Sequence, residues 1–376
     1  VHPSSSTGDP TAAVETVLSA ELATRRTEME AIDPRLVQDV DRLIGYIGAG
    51  GKRLRPQFLC WGWVAAQPDG QTPPLPLGVV KAAAALELIQ ACALLHDDII
   101  DRSDTRRGRP SVHRSVQRLH NDHGWSGDGE HYGVSSALLL GDLALAWADD
   151  LFADGLAEVA ATGRADGRDA WSAWRSMRTE VLAGQLLDLR ISADESMDPQ
   201  VAAGDAMIVN RYKTAAYTVE RPLHLGAALA GGSAATITAL REYGNAIGIG
   251  FQLRDDLLGV FGDPAVTGKP AGGDLIEGKK TVLLAMARSA LAQDAPALAE
   301  LDARIGSALS PEQVQSLTCI IARTSAPADI ESMIDDLLAT GVGALALLDD
   351  DGRALISPAA AEQLRRLALA ATARDR

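Results

Sequence analysis

Apolar side chains recur every three to four residues over five long stretches: Leu77 to Ile100, Val134 to Leu156, Ala170 to Ile191, Val201 to Ala230 and Ala235 to Val260. That spacing matches the turn of an α-helix, and the segments are rich in Ala and Leu, which are strong helix formers. Several are apolar nearly all round, as a helix enclosed by neighbours in the middle of a bundle must be. No run of alternating β-branched residues lies between turn signals, and aromatic residues make up only 4% of the chain. The pattern predicts an all-α bundle around a central cavity.

Between these stretches the breaks are legible. Pro68, Gly70, Pro73, Pro74 and Pro76 make Gln67 to Pro76 a loop, and Gly124, Gly127 and Gly129 make Asn121 to Gly133 another. A third irregular stretch, Pro264 to Gly278, carries Lys269 and Asp274 among Gly and Pro, as suits a loop that closes over a ligand. Gly341-Val342-Gly343 reads as a turn between helices. None of these has the character of an interdomain linker, and no long repeat is evident. We therefore expect residues 11–376 to form one domain behind a disordered lead-in, residues 1–10, where Ser4, Ser5, Ser6, Gly8 and Pro10 cluster.

Charge narrows the range of partners. Asp and Glu number 50 against 35 Lys and Arg, a formal net charge of −15, which repels nucleic acid and anionic membrane surfaces. No segment reaches the roughly 18 uninterrupted apolar residues of a transmembrane span, and the first residues lack the basic and apolar regions of an export signal. Cys60, Cys92 and Cys319 are far apart with no CxxC spacing, so neither a disulfide framework nor a structural zinc site is indicated. A cytoplasmic location fits.

Against this acidic background two clusters stand out. Leu94-Leu95-His96-Asp97-Asp98-Ile99-Ile100-Asp101 ends an apolar helix with three carboxylates, and Asp97 and Asp101, four residues apart, lie on one helical face. Like charges held among apolar residues need a cation, and a hard divalent ion with oxygen ligands is the simplest. Phe251-Gln252-Leu253-Arg254-Asp255-Asp256 repeats the design, with Gln252, Asp255 and Asp256 sharing a face. Cations are concentrated elsewhere: Gly50-Gly51-Lys52-Arg53-Leu54-Arg55-Pro56, Arg106-Arg107-Gly108, Lys213 in an otherwise apolar helix, and Lys269 and Lys279 flanking the third loop, with Lys280 beside them. Glycines let a backbone approach an anion closely, and Lys and Arg supply a point charge and a bidentate fork for phosphate oxygens. The set suits two metal-binding clusters and two anionic groups. Gly262 to Lys269 is not a P-loop, because five residues separate its glycines and Pro270 follows the Lys.

These residues resemble the trans-isoprenyl diphosphate synthase (polyprenyl synthetase) family. Asp97-Asp98-Ile99-Ile100-Asp101 looks like its first DDxxD motif, followed by Arg106-Arg107-Gly108; Gly50 to Pro56 looks like its glycine-lysine-arginine motif; Asp255-Asp256 with Gly262-Asp263 looks like its second aspartate-rich region. Gly141-Asp142, Gly184-Gln185 with Asp188, Tyr212-Lys213-Thr214 and Gly278-Lys279-Lys280-Thr281 fall between or after these in the family order. One departure is Gly259, where many members carry a third Asp.

The resemblance implies a Mg²⁺-dependent condensation of isopentenyl diphosphate with an allylic diphosphate (dimethylallyl, geranyl or farnesyl) in a homodimer. Asp97, Asp101 and Asp255 would bind three Mg²⁺ ions, replaceable by Mn²⁺, with Asp98, Asp188, Asp256 and Asp274 around them. Arg106, Lys213 and Lys269 would hold the allylic diphosphate, and Lys52, Arg55, Arg107 and Gln90 the isopentenyl diphosphate. Gln185 and Lys279 would also bind substrate, while Gln252, Thr214 and Lys213 would lie along the reacting allyl group. In the family, bulky aromatics four and five residues before the first Asp stop growth at fifteen carbons. Here Ala93 and Cys92 stand there, so the tail is expected to pass them and meet Ile89 and Leu86, giving geranylgeranyl diphosphate. Rival readings are a synthase making farnesyl or longer products, a class I terpene cyclase, and a non-catalytic subunit of a heteromeric synthase.

Overall fold

Helix follows helix in the computed structural model, which describes residues 10–67, 73–165, 167–194, 199–262 and 272–373. Helices α1 (Thr11–Ile32) and α2 (Val37–Gly48) are joined by a short turn at Pro34–Leu36, where the Asp33 side chain accepts from the backbone N–H of Arg35. After α3 (Leu54–Ala65) comes α4 (Leu77–Ile100), whose bounds are those the apolar pattern predicts. By length and composition α4 is apolar enough to cross a membrane, yet 72% of its most apolar window is buried, and it packs chiefly on α6 (Gly129–Ala161). It is a core helix of the bundle.

Two short strands, β1 (Thr105–Arg106) and β2 (Arg109–Pro110), pair in register Arg106 to Arg109 between α4 and α5 (Val112–Asp122). The turn between them has φ of 53° at Arg107 and 71° at Gly108, the two positive values that a tight type I′ hairpin requires. The predicted loop at Asn121 to Gly133 is shorter than expected. α5 runs on to Asp122 and α6 starts at Gly129, because the Asp128 side chain accepts from the N–H groups of Glu130 and His131 and caps α6 there.

Helix α7 (Arg168–Ala193) leads to one continuous helical rod made of α8 (Pro199–Val209), a π-helical segment (Asn210–Glu220) and α9 (Arg221–Leu229), alongside α10 (Ala234–Phe261). Glycines clasp the π segment from two sides. A Cβ on Gly184 of α7 would come within 2.5 Å of the Lys213 nitrogen, and one on Gly248 of α10 within 2.6 Å of the Ala215 Cα. Backbones that close pin the segment at the centre of the bundle, and π turns of this kind recur at functional sites.

The remainder comprises α11 (Gly273–Glu277), α12 (Val282–Ala290), α13 (Ala295–Arg304), α14 (Pro311–Ala322), α15 (Ala326–Ala344) and α16 (Pro358–Thr372). Gly273–Glu277 is thus helical within the predicted third loop. Gly341 and Gly343 are not a connecting turn: they lie in the last turns of α15, where Gly341 packs on Ile247 of α10. Two apolar clusters form the core. One gathers Trp63, Leu86, Phe152 and Trp174, with the last two rings stacked 4.1 Å apart. The other joins the second half of α10 to α12, α14 and α15 through Leu253, Leu283, Leu317 and Ile330. Helix α10 belongs to both, with Ile247 in the first and Leu253 in the second.

Candidate active site

The C-terminal ends of α4 and α10 open onto one cavity of about 490 Å³. Asp97 and Asp101 enter it from α4, and Asp255 and Asp256 from α10. Gln185 and Asp188 of α7 and Lys213 and Thr214 of the π segment form the wall between, while Gln252, Asp274 and Lys279 adjoin the second cluster. Lys52 and Arg55 reach it from the start of α3, Arg106 and Arg107 from the hairpin, and Ala93 and Gln90 from one and two turns above Asp97. Residues spread over more than two hundred positions of sequence share one chamber.

Charge within the chamber is closely matched. Lys213 Nζ donates to Asp188 Oδ2 at 2.6 Å and to Asp97 Oδ1 at 3.2 Å. Burial alone would lower the pKa of this ammonium, but Asp97 and Asp188 hold it above its usual value. Asp98 is 1% exposed and does not line the cavity. It accepts from Arg106 Nε at 2.8 Å and Tyr46 Oη at 3.4 Å, so it anchors Arg106 from beneath. Burial raises the Asp98 pKa, and Arg106 opposes that rise. Asp101 is exposed at the cavity mouth, yet desolvation by the surrounding walls and then the charge of Asp97 push its carboxyl up to about 6.

The second cluster is drier. Asp256 is 3% exposed; its Oδ1 accepts from Gln252 Nε2 at 2.9 Å, and its Oδ2 is buried without a hydrogen-bond partner. Burial, reinforced by Asp274 and Asp255, pushes this carboxyl up to about 7. An orphaned carboxylate oxygen in an all-oxygen donor set suits a hard divalent cation. Among the described residues no three His, Cys, Asp or Glu side chains converge tightly enough to enclose an ion by themselves. Mg²⁺ beside phosphates takes one or two carboxylates together with substrate oxygens, and the carboxylates here suit that mode.

Local backbone geometry sorts the basic residues. Arg53 takes a left-handed conformation, φ 47°, and turns into the core, where it pairs with Glu87 and Glu15 and donates to the Ile47 carbonyl at 3.1 Å. Arg53 still borders the cavity beside Glu87, with Lys52 and Arg55 on the same wall. Arg55 lies 4.0 Å above the Tyr217 ring and donates to Thr218 Oγ1 at 3.0 Å. Arg107 donates to the Gly50 carbonyl, tying the hairpin to the glycine turn. Lys279 pairs with Glu277 at 2.7 Å and with Asp274 at 3.6 Å, and these carboxylates raise its pKa against the effect of burial. Lys280 donates to the carbonyls of Ile191 and Asp194 and so ties down the C-terminal end of α7. Lys269 and Asp263 lie outside the described residues.

Behind Ala93 a second pocket of about 50 Å³ is lined by Ile89 and Cys92 of α4, Leu145 of α6, and Val181 and Leu182 of α7. Leu86, expected here, is not in it. It sits a further turn along α4, fully buried in the core beyond the end of the pocket. Cys92 is also buried, and burial, then the charge of Asp142, pushes its thiol up to about 12. Sequence reasoning did not single out Tyr217, Thr218 and Asn210, which line the main cavity. Thr218 lies one helical turn beyond Thr214, so stepping along the helix face from Lys213-Thr214 finds it.

Comparison with known proteins identifies the family. The polyprenyl synthetase family model matches residues 37–320. A short chain isoprenyl diphosphate synthase of Methanocaldococcus jannaschii is 34% identical over 249 residues, covering 65% of this chain and 65% of that protein. The geranylgeranyl diphosphate synthase of Mycobacterium tuberculosis is 32% identical over 302 residues, 79% of this chain and 75% of that one. The crystal structure of geranylgeranyl pyrophosphate synthase from Corynebacterium glutamicum, complexed with isoprenyl diphosphate and magnesium, superposes with a TM-score of 0.86 at 45% identity, covering 97% of this chain and 98% of that one. With two aspartate clusters facing one cavity inside an all-α bundle, and a family match over most of its length, the chain belongs to the polyprenyl synthetase family of trans-prenyltransferases.

Proposed function

We propose that this chain joins isopentenyl diphosphate to an allylic diphosphate and releases diphosphate, with geranylgeranyl diphosphate as the main product. The observation that carries the proposal is the meeting of Asp97 and Asp255 in one cavity that Lys52, Arg55, Arg106, Arg107, Lys213 and Lys279 also line. Asp97, Asp101 and Asp255 would hold three Mg²⁺ ions, or Mn²⁺ in their place, with Asp188, Asp256 and Asp274 close by. Asp98 takes part indirectly, by fixing Arg106. Bound there, the metal supplies positive charge to the diphosphate as its C–O bond breaks.

The chain's own residues do the rest. Arg106, Lys213 and Lys269 hold the allylic diphosphate, and Lys213 is already fixed by Asp97 and Asp188. Lys52, Arg55, Arg107 and Gln90 hold isopentenyl diphosphate, with Arg55 kept in position by Tyr217 and Thr218. Gln185 and Lys279 complete the polar wall. Thr214 and Gln252 lie along the reacting allyl group, and Leu94, Val181 and Phe251 keep water from the developing allylic cation. The isopentenyl double bond attacks that cation, and a proton is then lost to the departed diphosphate, leaving an allylic product five carbons longer.

Small residues at Ala93 and Cys92 favour twenty carbons over fifteen. A homodimer is the proposed assembly, supported by the exposed Leu138 and Leu139 of α6 and Leu182, Leu186 and Leu189 of α7. We read residues 11–376 as one domain acting in the cytoplasm. Purified protein incubated with Mg²⁺, labelled isopentenyl diphosphate and dimethylallyl, geranyl or farnesyl diphosphate should yield a twenty-carbon diphosphate. A cyclic hydrocarbon formed from farnesyl diphosphate alone would overturn the reading in favour of a cyclase.

A further inference from the structure

Two helical stripes line the way out of the main cavity. On α4 the stripe runs from Asp97 through Ala93 to Ile89, and on α7 from Asp188 through Gln185 and Val181 to Arg178. Both begin at the carboxylates and end in the 50 Å³ pocket, so Arg178 stands about 15 Å along α7 from Asp188. Every other wall near that end is apolar or a buried thiol, except His96 and Gln185. Arg178 is also held firmly. It pairs with Asp149 of α6, whose other oxygen accepts from Trp174 Nε1 at 2.8 Å, and its guanidinium lies 5.9 Å from the Trp171 ring centroid. Its Nε is buried with no hydrogen-bond partner.

We propose that the Arg178–Asp149 ion pair is the floor of the prenyl-tail channel and fixes the length of the product. The inference rests on the prenyl-elongating reading above and adds to it a residue that sets specificity by charge as well as bulk. While the tail grows past Ala93, Cys92 and Ile89, each new unit trades water for hydrocarbon contacts, which is favourable. The next unit would instead cover a guanidinium, removing water from a charge and returning no hydrogen bond. Asp149, itself held by Trp174, keeps Arg178 in place beside the Trp171 ring, and growth stops where the wall changes from hydrocarbon to charge.

The test compares Arg178→Leu and Arg178→Lys with the unaltered protein, using labelled isopentenyl diphosphate and farnesyl diphosphate and separating products by length. Arg178→Leu is expected to raise the ratio of longer products to the twenty-carbon product by about fivefold or more, while Arg178→Lys keeps the original distribution. The same distribution in Arg178→Leu overturns the proposal, and equal lengthening in both variants overturns the role of charge. If Arg178→Leu does not fold, Leu145→Phe, which narrows the pocket ahead of the ion pair, must shorten the product by at least one unit; no change there also overturns the proposal. Unaltered protein that incorporates no isopentenyl diphosphate at all would defeat the prenyl-transfer reading and this inference with it, whereas an active enzyme with unchanged lengths defeats only the inference.

Discussion

The carboxylate of Asp274 fills the space that a Cβ on Gly259 would occupy. Gly259 stands on α10 where many members of the family carry a third Asp, so in this chain a third carboxylate reaches the second cluster from α11 instead. Substituting Gly259→Ala would displace the end of a short side chain, which is a cheap movement. It would also replace a helical glycine with the best helix former, a gain of about 0.5–1 kcal/mol. We therefore expect thermal stability to stay level or rise while binding of Mn²⁺ in the presence of pyrophosphate weakens by about tenfold. Unfolding midpoints and a metal titration read the two effects separately, and unchanged metal affinity would show that Asp274 does not serve the cluster.

Lys213 is held by Asp97 and Asp188 on opposite sides of the cavity, from α4 and α7. A cation so placed offsets two carboxylates before substrate arrives and then meets the leaving diphosphate. Lys213→Ala should lower kcat by about 10²- to 10³-fold, the effect of removing one preorganised charge from a transition state. Single-turnover rates at saturating substrate measure this directly. A loss confined to KM would mean that Lys213 only helps binding.

Asp256 makes stability and metal binding depend on pH in opposite senses. Its folded pKa of about 7 lies above the ordinary carboxylate value, so the folded metal-free protein holds a proton that the unfolded chain releases. The stabilisation from that proton is complete below about pH 4 and is lost as pH rises through about 7, on the order of a few kcal/mol. A divalent cation needs the carboxylate form, so its affinity grows over the same range, helped by Asp101, whose carboxyl is pushed up to about 6 by desolvation and then by Asp97. Thermal stabilisation by Mg²⁺ with pyrophosphate should therefore be small at about pH 5.5 and large at about pH 8. Asp256→Asn should flatten the metal-free profile; if that variant keeps the same slope, the proton resides elsewhere.

The sequence carried the helices because their apolar stripes are long, and α4 follows the pattern residue for residue. It carried Asp97, Asp101, Asp255 and Lys213 because charge inside an apolar helix is conspicuous. What it could not carry depends on contacts between distant segments. Nothing local distinguishes Arg53 from Arg55, yet a left-handed φ at Arg53 sends one guanidinium to Glu87 in the core and leaves the other above Tyr217. The motif sets Asp98 beside Asp97 as a helper around the metals, but the two sit about 100° apart around α4, so one faces the cavity and the other faces Tyr46 and Arg106. The pocket beyond Ala93 was placed on α4 alone because only α4 could be read from its motif; Leu145 and Arg178 join it through the packing of α6 and α7.

Ala93 lines both the main cavity and the pocket behind it, so it stands at the doorway between them. Phe at this position would project into open space and close that doorway, with little disturbance to the core. Cys92, one residue earlier, is buried beside His96, and Phe there must overpack its surroundings at a cost of about 1–3 kcal/mol. Ala93→Phe should consequently move the product from twenty carbons towards fifteen at nearly unchanged stability, and Cys92→Phe should shorten it with a lowered unfolding midpoint. Product chromatography and thermal denaturation together distinguish the two. If Ala93→Phe still makes twenty carbons, the tail leaves the cavity by a route that does not pass between α4 and α7, and the doorway has no part in setting length.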